Sequence, residues 1–289
     1  MAGLRDIRRR IKSIQGTRKI TRAMQLVSAA KMRKSQNAVL ASRSYASVAQ
    51  SLAGKVADLP NVRAELFRTY PKAQKAAVLM LSTNRGLVGS LNTNLFSQLK
   101  KLEADEAGAK LEFITYGKKV RQTARRLDKK VIADFEKSDR AVSVRDVYPI
   151  TKLVTSLYKS GEYKKVFIIY NHFYSTLSQK STVSQILPFK DDLITTDEAE
   201  DFESDYFEPS PAYVLGNLLP RIVESRIYQD ILESNASEHS ARMVMMKNAT
   251  DAAGDLISDL TLTYNQLRQA KITTELAEIT SGKIALENR

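Results

Sequence analysis

Residues 17–53 read TRKITRAMQLVSAAKMRKSQNAVLASRSYASVAQSLA, without a glycine or a proline. A stretch this long with no breaker is helical, and at 1.5 Å per residue it measures about 55 Å. Apolar residues step along it by three or four. Leu4, Ile7, Ile11 and Ile14 lead in, the stripe shifts to Ile20, Met24 and Val27, and it resumes as Ala38, Ala41, Tyr45, Val48 and Leu52. A stripe so narrow is a coiled-coil seam, with a break of phase near Gly16. Between Lys19 and Gln36 the helix carries five basic and no acidic side chains. That charge suits DNA, an anionic membrane or an acidic protein equally.

The far end of the chain mirrors this beginning. From Arg221 to Ser281 the one breaker is Gly254. Fully helical, that span is about 90 Å long. Its seam is read as Leu256, Leu260, Thr263, Leu267, Ala270, Thr274 and Ala277. Neither helix has the apolar width of a core helix in a compact bundle. Each needs a partner, and the other terminal helix is the obvious one.

Between them the pattern changes. AAVLML (76–81), LEFIT (111–115), KVIADF (130–135), KVFIIYN (165–171) and TVSQILPF (182–189) read as strands, with helical stretches at 91–104, 118–127 and 150–160. Strands alternating with helices predict a largely parallel sheet. The fold class expected is therefore α/β: a long antiparallel coiled coil of the N- and C-terminal helices with a central Rossmann-like α/β domain. The boundaries are an N-terminal helix over 1–59, the α/β domain over 74–190, an acidic and proline-containing linker over 191–211, and a C-terminal helix over 212–289. Pro220 predicts a kink or a late start in that last helix.

Net charge is +13, and most of the excess lies in residues 1–60, with thirteen Lys or Arg against Asp6 and Asp58. Residues 195–208, TTDEAEDFESDYFE, hold seven acids and no base. An asymmetry this strong points to a partner more than to a fold. No apolar run approaches the roughly 20 residues that span a bilayer. Cysteine is absent, which excludes disulfides and thiolate metal sites.

Few residues suggest chemistry. LSTNRGLVGSLNTN (81–94) sits between a strand and a helix, where phosphate loops occur, but it lacks GxxxxGK[ST] and GxGxxG and reads as a tight turn. His172 and His239 have no second ligand near them in sequence and read as structural. The residues point to a non-catalytic mechanical or scaffolding part.

Four stretches carry a resemblance. MAGLRDIRRRIKSIQGTRKITRAMQLVSAAKMRKSQ (1–36), LSTNRGLVGSLNTNLF (81–96), ASEHSARMVMMKNATDAAGDLISDL (236–260) and ITTELAEITSG (272–282) occur in the order found in the gamma subunits of F-type rotary ATP synthases. The whole chain resembles that family, in its bacterial form. Lys283 departs from it, standing where the family usually has alanine, and the tail KIALENR is charged. The resemblance implies a central rotor shaft that couples ion flow through a membrane ring to ATP synthesis or hydrolysis. It implies partners: three alpha and three beta subunits, an epsilon subunit and the membrane c-ring, with one copy of this chain per complex and no nucleic acid. No cofactor or metal is implied on this chain; nucleotide and Mg belong to alpha and beta. The location implied is the cytoplasmic side of a bacterial cell membrane, as a peripheral subunit. By motif match, Arg268, Gln269 and Met24 correspond to contacts with beta, Arg9, Arg33 and Lys34 are further candidates for the same acidic partner, and Phe207 and Glu208 match the foot near the ring and epsilon. The alternative from charge alone is a basic helical protein on nucleic acid or an anionic membrane.

Overall fold

The structure, a computed structural model, describes residues 3–57, 65–138, 140–189, 208 and 210–287. The elements in order are α1 (Leu4–Ala57), a 3-10 turn (Glu65–Phe67), β1 (Lys75–Leu81), α2 (Leu91–Asp105), β2 (Lys110–Tyr116), α3 (Lys118–Arg126), β3 (Val131–Phe135), α4 (Val144–Lys159), β4 (Tyr163–Phe173), β5 (Gln179–Leu187) and α5 (Pro211–Glu287). The chain forms two compact units: residues 29–242, and residues 1–28 together with 243–289.

The larger unit is built on one sheet in the order β3-β2-β1-β4-β5. β1 pairs in parallel with both β2 and β4, β2 with β3, and β5 closes the edge as the antiparallel partner of β4. β1 is central and covered on both faces, which is why KAAVLML is a continuous apolar run. Its alternate residues serve two cores. Ala77, Leu79 and Leu81 pack with Val147, Ile150, Val154 and Tyr158 of α4 and with Leu215, Leu219, Val223, Ile227 and Ile231 of α5. Ala76, Val78 and Met80 pack with Leu95, Leu99 and Leu102 of α2 and Val120 of α3. The first five turns of α5 are thus a core helix of the sheet.

Two proline readings need correction. Pro220 neither delays nor ends α5, which starts at Pro211. Ser210 supplies the cap, accepting the Tyr213 N–H at 3.3 Å, and Pro211 takes the first helical position, where a missing N–H costs nothing. Pro220 stands inside the helix, opposite the carbonyl of Gly216. Likewise α4 begins at Val144 and carries Pro149 within it, rather than starting at 150. Its start is fixed by a capping box in which the Ser143 N–H and Oγ–H donate to Asp146 Oδ2 at 2.8 and 3.0 Å. These bonds hold the Asp146 carboxyl below its usual range. Ser143→Ala is expected to lower stability by about 1 kcal/mol, read as a shift of the urea midpoint at unchanged slope.

The smaller unit is an antiparallel helix pair. Thr250 Oγ1–H donates to Thr21 Oγ1 at 2.8 Å, and a Cβ built on Gly254 would lie 3.6 Å from Cζ of Arg18. As the number rises on one helix it falls on the other. The seams differ from those read off the large apolar residues. On α1 the covered positions of this unit include Leu4, Ile7, Ile11, Ile14, Thr21, Gln25 and Ser28, three or four apart except for the seven residues from Ile14 to Thr21, and that step of one heptad keeps the phase across Gly16. Ile20 and Val27 point away, 63% and 56% exposed. Ala41 is exposed, and Tyr45, Val48 and Leu52 lie outside the residues whose side chains are described. On α5 the covered positions are Met246, Thr250, Ala253, Ile257, Leu260 and Tyr264, so of the expected seam only Leu260 belongs to it. Small and hydroxyl side chains at the contact let two helix backbones come close, and packing at that distance outweighs the size of any single residue.

Candidate partner-contact surfaces and the crossed crevice of the sheet

In open parallel sheets ligands bind beyond the C-terminal ends of the strands, where the strand order reverses. Here that point lies between β1 and β4, and α5 runs across it. Ser237 Oγ–H donates to the Asn171 carbonyl at the end of β4, at 2.9 Å. At the end of β1, Lys137 Nζ donates to the Ser82 carbonyl at 3.4 Å and to Glu238 Oε2 at 2.6 Å. Arg242 Nη2 donates to Glu238 Oε1 at 2.9 Å and to the Gly86 carbonyl at 3.4 Å. Lys137, Glu238 and Arg242 are all buried. A buried ion cluster therefore ties α5 to the end of β1 and to the loop that follows it.

The β1–α2 loop spends its polar groups on the protein itself. Asn92 Nδ2 donates to Thr83 Oγ1 at 2.9 Å, Thr83 Oγ1–H to the Arg85 carbonyl at 2.7 Å, and Asn84 Nδ2 to the Lys137 carbonyl at 2.7 Å. Ser82 Oγ accepts the Val120 N–H at 2.9 Å. Gly117, at φ 103°, lies so near that strand end that a Cβ would stand 2.6 Å from the Ser82 carbonyl, which requires glycine there. The loop is a tight strand-to-helix turn.

His172 lies on β4 and His239 on α5. His172 Nδ1 pairs with the buried Glu233 carboxylate, and its ring meets Tyr174 edge-on at 4.4 Å. Next to this pair Asp230 is buried, with Oδ2 lacking a partner. Burial pushes its carboxyl up to about 7, opposed by Arg226, with Glu233 pushing the same way and the Tyr170 hydrogen bond opposing. Burial pulls the His239 imidazole down to about 4, so the ring is neutral near pH 7. Lys137, Glu233, Glu238 and Arg242 escaped sequence reasoning: Glu238 and Arg242 are spaced like any surface i,i+4 pair, and the Lys137 that buries them lies 101 residues from Glu238. Among the described residues no three His, Asp or Glu gather as a metal site, and no helix is long and apolar enough to cross a membrane.

The residues matched to partner contacts lie on helix surfaces. Arg9 is exposed and ion-paired to Asp6 at 3.3 Å. Met24 is half-buried beside the seam, and Arg33 and Lys34 are exposed in the larger unit. Arg268 and Gln269 are exposed on α5, where every described side chain from Asn265 to Lys283 faces outward. Glu208 is exposed, and Phe207 lies outside the described residues. What sequence reading missed is the apolar part of these faces. In the smaller unit Ile20, Leu26, Val27, Leu256, Leu262, Leu267, Ile272, Leu276 and Ile279 are all exposed. Apolar surface on this scale marks a region that other chains cover.

A helical pair with uncovered apolar faces, joined in sequence to an α/β unit whose β1–α2 loop spends its polar groups on the protein itself, is a subunit of a larger assembly. A family profile described as ATP synthase matches residues 3–286. The ATP synthase gamma chain of Pelotomaculum thermopropionicum is 41% identical over 288 residues, 99% of this chain and all of that one. The ATP synthase gamma chain of Roseiflexus sp. strain RS-1 is 40% identical over 292 residues, covering 99% of each. In fold, the chain is similar to one in the Euglena gracilis mitochondrial ATP synthase OSCP/F1/c-ring structure, with TM-score 0.67, 19% identity and coverage of 98% of this chain and 94% of that one. It is likewise similar to one in the Tetrahymena thermophila mitochondrial ATP synthase central stalk/c-ring, with TM-score 0.62, 24% identity and coverage of 80% and 99%. The chain belongs to the ATP synthase gamma-chain family, the rotor shafts of rotary ATP synthases.

Proposed function

We propose that this chain is the non-catalytic shaft of a bacterial ATP synthase, one copy per complex, turning inside a ring of three alpha and three beta subunits. Its foot, with Phe207 and Glu208, meets the membrane c-ring and epsilon, as a peripheral subunit on the cytoplasmic side. The catalytic nucleotide and Mg reside on alpha and beta. The observation that carries this reading is the uncovered mixture of apolar and basic side chains on the helix pair, with Ile20 and Leu26 exposed beside Lys19 and Arg22.

The energetics require such a mixture. An asymmetric shaft in a threefold ring meets each beta subunit differently. Switching a catalytic site from 1:99 to 99:1 between two states takes a difference of about 5.5 kcal/mol. One exposed ion pair supplies about 0–1 kcal/mol. Arg268, Gln269, Met24, Arg9, Arg33 and Lys34 therefore share the work with apolar contacts such as Ile20 and Val27.

The test is Arg268→Ala combined with Gln269→Ala. Both side chains are exposed, so folding and assembly survive. ATP synthesis by membrane vesicles falls roughly tenfold, the equivalent of one hydrogen bond to a charged group. Unchanged synthesis per assembled complex would remove these two residues from the torque contact.

A further inference from the structure

A cavity of about 560 Å³ opens in the α/β unit, lined by α1, the β3–α4 loop and α5. Among the described residues Lys31, Lys34, Lys137 and Arg140 line it, against one lining carboxylate, Glu238. That carboxylate is already taken, at 2.6 Å by Lys137 and 2.9 Å by Arg242. Among the described residues none of Lys31, Lys34 and Arg140 is in an ion pair. The cavity is thus an excess of positive charge with partly enclosed walls, which concentrates anions.

Two further lining groups are unsatisfied. Asn235 is more than nine-tenths buried and its Oδ1 has no partner, and His239 Nδ1 is buried and has none either. Buried polar atoms without a partner in the protein are satisfied by ordered water, an ion or a ligand. With its neutral ring protonated on Nδ1, His239 donates one hydrogen bond, and the Asn235 amide donates another when turned about its terminal torsion. Donors arriving from three elements, two of them cationic and two neutral, match an anion with several oxygens better than a halide.

We infer that this cavity binds a phosphate-class anion, held by Lys31, Arg140, Asn235 and His239, which ties α1 to the β3–α4 loop and α5. The inference rests on the α/β unit alone and does not depend on the shaft contacts proposed above. A free phosphate and the phosphate tail of a nucleotide share this chemistry.

The full-length chain is titrated with inorganic phosphate, pyrophosphate and ADP, and with sodium chloride at matched ionic strength, while the imidazole resonances are followed by NMR. His239 and His172 are the only histidines, so each acts as control for the other. The expected result is a saturable shift of His239, with His172 unmoved, and a raised thermal midpoint with phosphate or pyrophosphate but not with chloride. A tighter response to ADP than to pyrophosphate assigns the anion to a nucleotide, and the reverse to a free phosphate. Lys31→Gln with Arg140→Gln removes two exposed cations without touching the buried cluster and weakens binding roughly tenfold or more. Lys100→Gln with Lys101→Gln, an equal loss of charge on α2, leaves it unchanged. No shift of His239, equal shifts with chloride, or equal weakening by both double variants would overturn the inference. So would a response to hexaglutamate with none to phosphate, which would give the cavity to an acidic protein segment.

Discussion

Glu238→Gln is expected to lower stability by about 3–5 kcal/mol, a large share of the roughly 5–15 kcal/mol available to a folded protein. Glu238 is 6% exposed and accepts from Lys137 and Arg242, themselves 8% and 9% exposed. An amide has no charge to offer, so two cations are left in a low dielectric with nothing to balance them. Replacing Lys137 as well, in Glu238→Gln with Lys137→Met, removes one of the stranded charges and recovers part of the loss. The Glu238 carboxyl also titrates. Burial pushes the Glu238 carboxyl up, but Lys137 and Arg242 outweigh it and hold the group at about 2. A carboxylate depressed in the fold contributes stability above its ordinary value of about 4.5 and loses it as pH falls toward about 2. The difference between wild type and Glu238→Gln in urea unfolding should therefore be full at pH 7 and shrink below pH 4.5. A difference of less than 1 kcal/mol at pH 7 would show that α5 is not anchored by this cluster.

The sheet was legible because its central strands are covered on both faces and read as bare apolar runs. β1 is the clearest case, buried from Ala76 to Leu81. The helix seams were not legible for the opposite reason. A coiled-coil reading follows the largest apolar side chains, and on α1 those include Ile20 and Val27, which face outward. The contact itself uses Thr21, Ser28, Thr250 and Ala253, residues that sequence reading treats as neutral. Large apolar groups on the wrong face are the trace of partners absent from one chain's sequence. The buried acids of α5 were hidden in a second way. Glu224, Asp230, Glu233 and Glu238 look like a solvated face, and their cover comes from residues distant in sequence. One local signal was available: Ser225, Ser234, Ala236, Ser237, Ser240 and Ala241 are all small, which is how a long helix lets neighbours close over it.

Asp230→Asn is expected to stabilise the protein by about 4 kcal/mol at pH 8 and by less than about 1 kcal/mol at pH 4. The Asp230 side chain is buried on α5 among Arg226 and Glu233 of its own helix and Tyr170 of β4, with His172 of β4 paired to Glu233. Arg226 is the nearest compensation, but it also donates to Ser184 Oγ at 2.7 Å. Burial therefore wins and the carboxyl sits at about 7, above its ordinary 3.8. An acid raised in the fold holds its proton there after the unfolded chain has lost it. Stability falls as pH rises from about 4 to about 7, and the whole cost is present above that. Asparagine has nearly the same shape and no charge, so it removes the cost and leaves the packing. His239 acts with the opposite sign: its folded value of about 4 lies below the ordinary 6.5, so it withdraws stability as pH drops through that window. Both proteins contain His239, so its contribution cancels when the variant is compared with wild type at each pH. Chemical denaturation at pH 4, 5, 6, 7 and 8 isolates Asp230 in the difference. A gain that grows with pH and levels off near 7 identifies the buried carboxylate as its source, whereas a gain independent of pH would assign it to packing instead.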